Sequence, residues 1–412
     1  DGADGLGMTH PPVSVVVVSR DRPDALLRCL TGLLQVQYTP FEVVVVADQP
    51  GCSAAARWAE QIKIVPFDRP NISEARNLGI SNAAGDIIAF VDDDAVPEPS
   101  WLTHLIAPFE RADVAAAGGF VRGRNGISFQ WQARSVDETG ATAPLEVDPG
   151  RATVLAPKGQ RATKTEGTNM AVRRDTLCAL EGFDPGFAFY LDETDLNLRL
   201  ARAGHATAIV PMAQVHHGFA ASPRRRADRV PRDLFDIGAS WAVFQRKYMP
   251  QKAHADHWRS IQSAQRARCV THMVAGRLVP GDVGRLMRRL DQGYADGFER
   301  QRGGAEVTGT AAAPFKPVPG GARKSVVLAG RIWQQKRLRA EAAQRVAAGE
   351  IVTLILLSPT ALFHHVRFHS DGYWEQRGGL FGRSNRDDPL VRLWFFGHRV
   401  EKERQRIANH RL

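Results

Sequence analysis

The sequence predicts an α/β protein built on an open, mostly parallel sheet with helices on both faces. Residues 13–18 and 41–46 are runs dominated by valine, which is typical of parallel strands buried on both faces. A stretch with helical periodicity follows the first run and places Leu26, Leu30 and Leu33 on one helical face. Strands that alternate with helices along a chain indicate a parallel sheet, so this order predicts the fold class.

Each element is predicted from a local signal. Pro23 is well placed to open the first helix, and Asn71 and Ser73 can cap the third. The expected strands are Val13–Val18, Phe41–Val46, Ile62–Val65 and Ile87–Val91. The expected helices begin at Pro23 and span Ala54–Gln61 and Glu74–Ala83.

Composition narrows the class of protein. The chain has 412 residues and contains no run of 18 or more apolar residues, so we predict no transmembrane helix. The N-terminus shows no signal segment, and the first methionine is Met8, so the true start is left open. The 4 cysteines form no C-x-x-C pair, which argues against a zinc site and a disulfide scaffold. We expect a cytoplasmic protein, with peripheral contact at the inner face of the membrane as an option.

Charge divides the chain into two halves. Residues 1–220 contain 19 Lys and Arg against 27 Asp and Glu, whereas residues 221–412 contain 35 against 17, which gives the net charge of +10. The basic half includes Arg224, Arg225 and Arg226 and could meet an anionic membrane or an acidic glycan, or could simply be solvated. It contains no helix-turn-helix, zinc-finger or RNA-binding motif, so no nucleic-acid partner is expected.

Three consecutive aspartates, Asp92 to Asp94, follow the fourth predicted strand. Asp92 and Asp94 are two residues apart and would point the same way on an extended chain. Ligands of open α/β sheets bind where the strands end, and paired carboxylates there suit Mg²⁺ or Mn²⁺. The alternative is that these aspartates only form a turn before Pro97.

Residues 11–220 resemble a glycosyltransferase of family 2 with the GT-A fold. The resemblance rests on an ordered set of segments: "VSVVVVSRDRPDALLRCLTGL", "VVVVADQPG", "NISEARNLGISNAAGDIIAFVDDDAVPEPSWL", "EGTNMAVRRDTL", "GFDPGFAFYLDETDLNLRLARAGH" and "AIVPMAQVHH". It implies a domain at 11–220, and the remaining chain matches no motif of the family.

The resemblance implies a nucleotide site and a metal site. Asp48 would accept a hydrogen bond from the base, which favours uracil and therefore a UDP-sugar donor. Arg76 would lie near the base and phosphates, and Asp92 and Asp94 match the D-x-D motif. Asp92 would lie near the ribose or sugar, and Asp94 would be the main ligand of a divalent metal, with Asp92 as a further metal candidate. The loop Ser19-Arg20-Asp21 replaces the family's usual Thr-Tyr-Asn, so Arg20 could stack on the base instead of an aromatic ring.

The resemblance also implies a catalytic base. The stretch Leu191-Asp192-Glu193-Thr194-Asp195 matches the acidic segment of the family, in which the second acid usually takes the proton of the acceptor hydroxyl. Here that acid is Glu193 rather than aspartate, so we rank Glu193 before Asp192 and Asp195. These acids also begin a predicted helix, Thr194–Ala203, where they would act as favourable caps.

Four further residues are weaker candidates. Thr168 and Asn169 could contact the sugar or acceptor, and a plain turn explains them equally well. His216 ends the predicted strand Ala206–Val215 and could bind the metal or diphosphate. Trp101 follows the aspartates and is expected in the core or on the sugar and acceptor side.

The remaining chain is divided by composition. We predict a basic helical extension at 221–302, a flexible linker rich in Gly, Ala and Pro at 303–324, and a small α/β domain of unknown role at 325–412. Within this last domain, strands are expected at Lys324–Ala329 and Ile351–Leu357 and a helix at Ile332–Ala348, whereas residues 364–389 look loop-like.

Together with the residues above, the resemblance implies a metal-dependent, inverting glycosyltransferase that moves a sugar from a nucleotide-activated donor to a hydroxyl of a glycan or lipid-linked acceptor, as in polysaccharide biosynthesis. Two alternatives stay open: a non-catalytic nucleotide-sugar-binding or scaffold protein, and a sugar nucleotidyltransferase. The second would need a Gly-rich basic loop after the first strand, and residues 19–24 contain no glycine.

Overall fold

The computed structural model describes residues 10–218, 221–303, 307, 309–321 and 323–412. Its strands are β1 Val13–Ser19, β2 Phe41–Ala47, β3 Lys63–Pro66, β4 Ile87–Asp92, β5 Ala95–Pro97, β6 Val114–Arg122, β7 Phe129–Trp131, β8 Arg134–Val136, β9 Thr142–Pro144, β10 Thr153–Leu155, β11 Ala162–Lys164, β12 Met170–Arg173, β13 Ala206–His217, β14 Ser325–Arg331, β15 Ile351–Ser358, β16 His365–Phe368 and β17 Trp374–Gly379. Its α-helices are α1 Pro23–Leu33, α2 Gln49–Ala55, α3 Ile72–Asn82, α4 Trp101–Ile106, α5 Arg174–Ala179, α6 Asp192–Arg202, α7 Phe235–Tyr248, α8 His254–Val274, α9 Pro280–Glu299, α10 Gln335–Ala347 and α11 Phe396–Arg411.

The central sheet confirms the predicted fold class. Its strand order is β10-β13-β6-β12-β4-β1-β2-β3, with β5 beside β13 and β7 beside β6. Strands β1 to β4 run parallel, while β12 lies antiparallel between β4 and β6. One hydrophobic cluster, which includes Val15 and Leu26, covers one face of the sheet, and another, which includes Val16 and Ile80, covers the other. Helices therefore pack on both faces, and the parallel strands end together at one edge.

Helices α2, α3 and α6 begin earlier than expected, α3 at Ile72 rather than Glu74. The helix expected over Ala54–Gln61 begins earlier, at Gln49, because the Asp48 carboxylate accepts a hydrogen bond from the Gly51 amide and caps it. Helix α6 starts at Asp192 rather than Thr194, so all three candidate acids lie in its first turn. In the part of the chain that is described, no helix combines the length and the apolar character needed to cross a bilayer.

The segment that we expected to be a flexible linker contacts the sheet domain at several points. Val307 is buried against the α3 side of the sheet, and the amide of Ala312 donates to the Ser81 carbonyl at 2.8 Å. The amide of Val318 donates to the Phe41 carbonyl at 2.8 Å, and the Val318 side chain is buried. Two backbone hydrogen bonds and two buried valine side chains thus hold this segment against the sheet.

The C-terminal residues form a second, smaller sheet with the order β14-β15-β17-β16, in which the first three strands are parallel. The stretch 364–389 was expected to be loop-like; it contains β16 and β17, which pair antiparallel. This unit packs on the central domain, since Val96 and Ile127 share a buried cluster with Val366, Phe368 and Trp374. The last helix adds a buried ion pair, in which Arg411 donates to both Glu98 oxygens at 2.5 and 2.6 Å.

Candidate functional site

A cleft opens at the edge where β1, β2 and β4 end. It is lined by polar and charged residues from the loop after β1, by the start of α3 and by the fourth-strand aspartates: Ser19, Arg20, Asp21, Arg22, Asn71, Asp92 and Asp94, together with Phe67, Phe189, Arg224 and Arg225. The position agrees with the general rule that open α/β sheets bind ligands at the carboxyl ends of their strands.

Asp92, Asp94 and His217 form a cluster whose ligand atoms all lie within 4.8 Å of one another. The antiparallel pairing of β13 with β5, which matches His217 with Ala95, brings the histidine beside the aspartates. Nε2 of His217 lies 3.1 Å from Oδ1 of Asp94, and its Nδ1 lies 2.9 Å from Oε1 of Gln130. If Nδ1 carries the proton given to Gln130, the Nε2 lone pair faces a carboxylate, an arrangement that a divalent cation would stabilise. Two carboxylates and one imidazole therefore fit Mn²⁺ or Mg²⁺.

The structure does not bring His216 to the aspartates, which corrects the expectation that this histidine binds the metal. Its Nε2 lies 2.7 Å from Oε1 of Glu98, and its ring packs 4.7 Å from that of Trp374. Burial lowers the pKa of His216 to about 4, despite the nearby carboxylate of Glu98. Adjacent residues of a strand point to opposite faces, so only one of the two histidines can reach Asp94. That residue is His217, which the sequence analysis did not single out.

The middle aspartate of the triplet is structural. Asp93 is fully buried and accepts a hydrogen bond of 2.7 Å from the Ser19 hydroxyl. Arg22 lies 2.6 Å from Asp93 and 3.4 Å from Asp94, and it was not among the predicted residues. Burial raises the pKa of Asp93 to about 7, although Arg22 acts in the opposite direction. Ser19 and Arg22 thus hold the triplet so that Asp92 and Asp94 line the cleft.

The loop after β1 is organised by Asp48. Asp21 has a left-handed φ of 60°, and its amide donates to Oδ2 of Asp48 at 2.7 Å. Arg20 is partly exposed and lies 3.3 Å from Asp68. The other oxygen of Asp48 caps α2, so this carboxylate already accepts two backbone hydrogen bonds. The hydrogen bond between Asp48 and the nucleotide base stays a prediction.

Arg76 joins the two acidic segments. Its guanidinium forms a buried ion pair with Asp192 and lies 3.5 Å from Oδ1 of Asp92. The Thr168 hydroxyl donates to Asp92 from the opposite direction. The fold therefore brings the start of α6 beside Asp92, and the buried Arg76 side chain links the two segments.

The candidate bases have different surroundings. Burial raises the pKa of Asp192 to about 7, and Arg76 only partly offsets this. Burial also acts to raise the pKa of Glu193, but Lys164, 3.0 Å away, together with Arg76 and a backbone hydrogen bond outweighs it and lowers the pKa to about 2. The Glu193 side chain is 16% exposed, against 4% for Asp192. Lys164 also contacts Glu166 at 2.6 Å; neither residue was predicted.

The third candidate base, Asp195, is taken up by structural contacts. It is fully buried, and its oxygens lie 2.8 Å from Arg199, 2.6 Å from Lys247 and 2.7 Å from the Tyr248 hydroxyl. These partners come from α6 itself and from α7, which packs against it. Asp195 thus anchors α6, and both of its carboxylate oxygens are already bonded within the protein, so it is poorly placed to act as a base.

Trp101 and Asn169 are also core residues. Both are fully buried, and Nε1 of Trp101 donates to the Asn169 side chain at 2.7 Å. The Asn169 amide donates to the carbonyls of Phe120 and Ala213 at 2.9 and 2.8 Å. All polar atoms of Asn169 are therefore used within the protein, which corrects the expectation that it and Trp101 contact a sugar.

Comparison with known proteins gives the family. The sequence profile described as "Glycosyltransferase like family 2" matches residues 10–234. The chain is 28% identical over 258 residues to the O-antigen biosynthesis protein RfbC of Myxococcus xanthus, a match that covers 57% of this chain and 19% of RfbC. It is 31% identical over 221 residues to the succinoglycan biosynthesis protein ExoM of Rhizobium meliloti, covering 50% of this chain and 66% of ExoM. The chain thus spans less than two thirds of the length of these relatives.

A solved structure with a similar chain is GalNAc-T7 with UDP, GalNAc and Mn²⁺, at a TM-score of 0.44 and 17% identity, covering 57% of this chain and 48% of that one. Another is the mannosyltransferase PcManGT of Pyrobaculum calidifontis with GDP-Man and Mn²⁺, at a TM-score of 0.43 and 16% identity, covering 71% and 89%. Because the family profile matches more than half of its 412 residues, the chain belongs to glycosyltransferase family 2.

Proposed function

We propose that this protein transfers a sugar from a nucleoside diphosphate sugar to a hydroxyl of a glycan or lipid-linked glycan, with inversion at the anomeric carbon. The observation that supports this most is the Arg76 bridge, in which one guanidinium contacts both Asp92 of the Asp92–Asp94–His217 cluster and Asp192 of α6. A donor diphosphate needs positive charge beside it, and an acceptor hydroxyl needs a carboxylate.

In the proposed reaction the acceptor oxygen bonds to the anomeric carbon while the bond from that carbon to the diphosphate oxygen breaks. The hydroxyl proton passes to a carboxylate, and the nucleoside diphosphate leaves with the bonding electron pair. Asp92, Asp94 and His217 would hold Mn²⁺ or Mg²⁺, which supplies positive charge to the leaving diphosphate when bound. We favour Mn²⁺, because a nitrogen ligand suits it better than Mg²⁺, which strongly prefers oxygen.

We assign the base to Glu193. Its carboxylate is ionised, and its side chain is more exposed than that of Asp192. Asp192 is the second choice, because its pKa of about 7 is better matched to proton transfer near neutral pH, while its carboxylate is occupied by Arg76. We propose UDP as the nucleotide, on the basis of Asp48 as an acceptor for the uracil N3–H.

The test is a panel of UDP-, GDP- and dTDP-sugars, with release of free nucleotide measured in the presence of Mn²⁺ and of EDTA. We expect metal-dependent turnover of a UDP-sugar that is lost in Glu193→Gln. Glu166→Gln is the matched control, because Glu166 contacts the same lysine and should retain most of the turnover. Metal-dependent donor binding without turnover under any condition would instead favour the non-catalytic scaffold.

A further inference from the structure

The small C-terminal sheet ends in an exposed apolar surface. Loops 359–364 and 389–395 follow β15 and β17 at the edge where these parallel strands end. Each of the following side chains is more than half exposed: Leu362 (64%), Phe363 (54%), Leu390 (61%), Val391 (59%), Leu393 (84%) and Phe395 (81%). Single exposed apolar residues are common, but six in two short loops call for an explanation.

The two loops are neighbours in space, because both contact the segment 379–382. The Gly379 amide donates to the Leu362 carbonyl at 2.9 Å, and Gly382 forms a β-bridge with Val391. The Arg392 amide donates to the Phe381 carbonyl at 3.0 Å. The six side chains therefore form one surface, which we call the loop surface.

Arginines surround the loop surface. Arg383 stacks on Phe363 at 4.2 Å and Arg392 on Trp394 at 4.5 Å, while Arg377 lines the adjoining groove beside Leu362 and Phe363. Among the residues that the structure describes, no carboxylate oxygen lies within 4.0 Å of these three guanidinium groups. Their positive charge is thus not neutralised by the protein. A protein surface that is both apolar and uncompensated in positive charge is complementary to a layer of apolar chains under anionic headgroups.

We propose that the loop surface docks this protein on an anionic phospholipid bilayer. Leu393 and Phe395 enter the headgroup region, while Arg383 and Arg392 keep their stems along the apolar side chains and their charges at the phosphates. The proposal concerns a different part of the chain from the donor cleft and does not depend on the chemistry assigned there. It also differs from a general attraction by the basic helices at 221–302, since it requires particular apolar side chains.

The test is flotation of the full chain with vesicles of phosphatidylcholine alone or mixed with phosphatidylglycerol. We expect binding only to the anionic vesicles, weakened by salt, and reduced at least about fivefold by Leu393→Ser with Phe395→Ser. The matched control is Val274→Ser with Val279→Ser, two valines that are 81% and 62% exposed at the end of α8 and just before α9. The control should bind as the wild type does.

A second pair of double variants separates the effect of the arginines at the loop surface from that of the overall positive charge. Arg383→Gln with Arg392→Gln should weaken vesicle binding, whereas Arg266→Gln with Arg288→Gln, on α8 and α9, should not. The proposal is overturned if the wild type does not bind anionic vesicles, or if the Leu393 and Phe395 variant binds undiminished. It is also overturned if light scattering reveals a dimer that this variant dissociates, since the surface would then face a second copy. Titration with UDP and Mn²⁺ on the same variants should be unchanged, which keeps this test separate from that of the donor cleft.

Discussion

Two acidic segments about a hundred residues apart are linked through Arg76, and they use their acids differently. In residues 92–94 the outer two aspartates face the cleft and the middle one is buried against Ser19 and Arg22. In residues 192–195 Asp192 contacts Arg76 and Glu193 contacts Lys164, whereas Asp195 is buried against α7. The difference shows that an acid within a functional segment is not thereby functional. The elements packed behind each segment decide which carboxylates remain available.

The largest effect on activity should come from Glu193, in the second acidic segment. Glu193→Gln removes the proposed proton acceptor without changing the size of the side chain. We expect kcat to fall by about 10²–10⁴ with donor affinity nearly unchanged, and the melting temperature to fall because Lys164 keeps only one of its two carboxylate partners. Steady-state kinetics and calorimetric binding of UDP measure the two quantities separately. Retained turnover would transfer the role of base to Asp192.

The acid buried in the same segment should behave in the opposite way. Asp195→Asn leaves Arg199 and Lys247 without their shared carboxylate, so the free energy of unfolding should fall by about 3 kcal/mol. Urea denaturation measures this loss. At a temperature where the variant is folded, its kcat should remain within about tenfold of wild type. A variant of unchanged stability that has no turnover would mean that Asp195 takes part in the reaction and does not only anchor α6.

The buried acid of the first segment should appear in the pH dependence of stability. The pKa of Asp93 is about 7 in the folded protein, against an ordinary value of 3.8, so the folded state binds more protons between these values. Stability in EDTA should therefore fall as the pH rises from about 4 to about 7. In Asp93→Asn this contribution should be reduced by about 2 kcal/mol, a value discounted for the attraction of Arg22. Parallel curves for wild type and variant would mean that Asp93 is already ionised across this range.

The smallest effect concerns the two adjacent histidines. His217→Ala should weaken Mn²⁺ binding about tenfold, because it removes one ligand of three supplied by the protein. His216→Ala should leave Mn²⁺ affinity unchanged, because its ring contacts Glu98 and Trp374 instead. Titration of Mn²⁺ followed by electron paramagnetic resonance compares them. The reverse pattern would restore the assignment made from sequence.

The sequence was sufficient for features that depend on short-range pattern. Valine runs placed strands β1 and β2, and the spacing of Asp92 and Asp94 after a strand predicted two carboxylates that, with His217, could hold a metal ion. The acidic start of α6 identified Asp192 and Glu193. These features were predictable because strand burial and the position of strand ends follow from local composition.

The features that sequence reasoning missed depend on contacts distant in the chain. The choice between His216 and His217 is set by the pairing of β13 with β5, about 120 residues away in the chain. The role of Asp195 depends on Lys247 and Tyr248 in α7, outside the matched motif. Arg22 had a visible signal, since it follows β1 at the edge where the aspartates lie, but its partner could be identified only from the folded chain.

The central claim is that Asp92, Asp94 and His217 hold a divalent cation that a nucleoside diphosphate requires for binding. Calorimetric titration with UDP, GDP and dTDP, each with Mn²⁺ and with EDTA, tests it most directly. We expect UDP to bind in the presence of Mn²⁺ and to bind at least about tenfold more weakly in EDTA. We also expect Asp94→Asn to abolish this difference in affinity. Equal binding of UDP with Mn²⁺ and with EDTA, or an unchanged metal effect in Asp94→Asn, would contradict it.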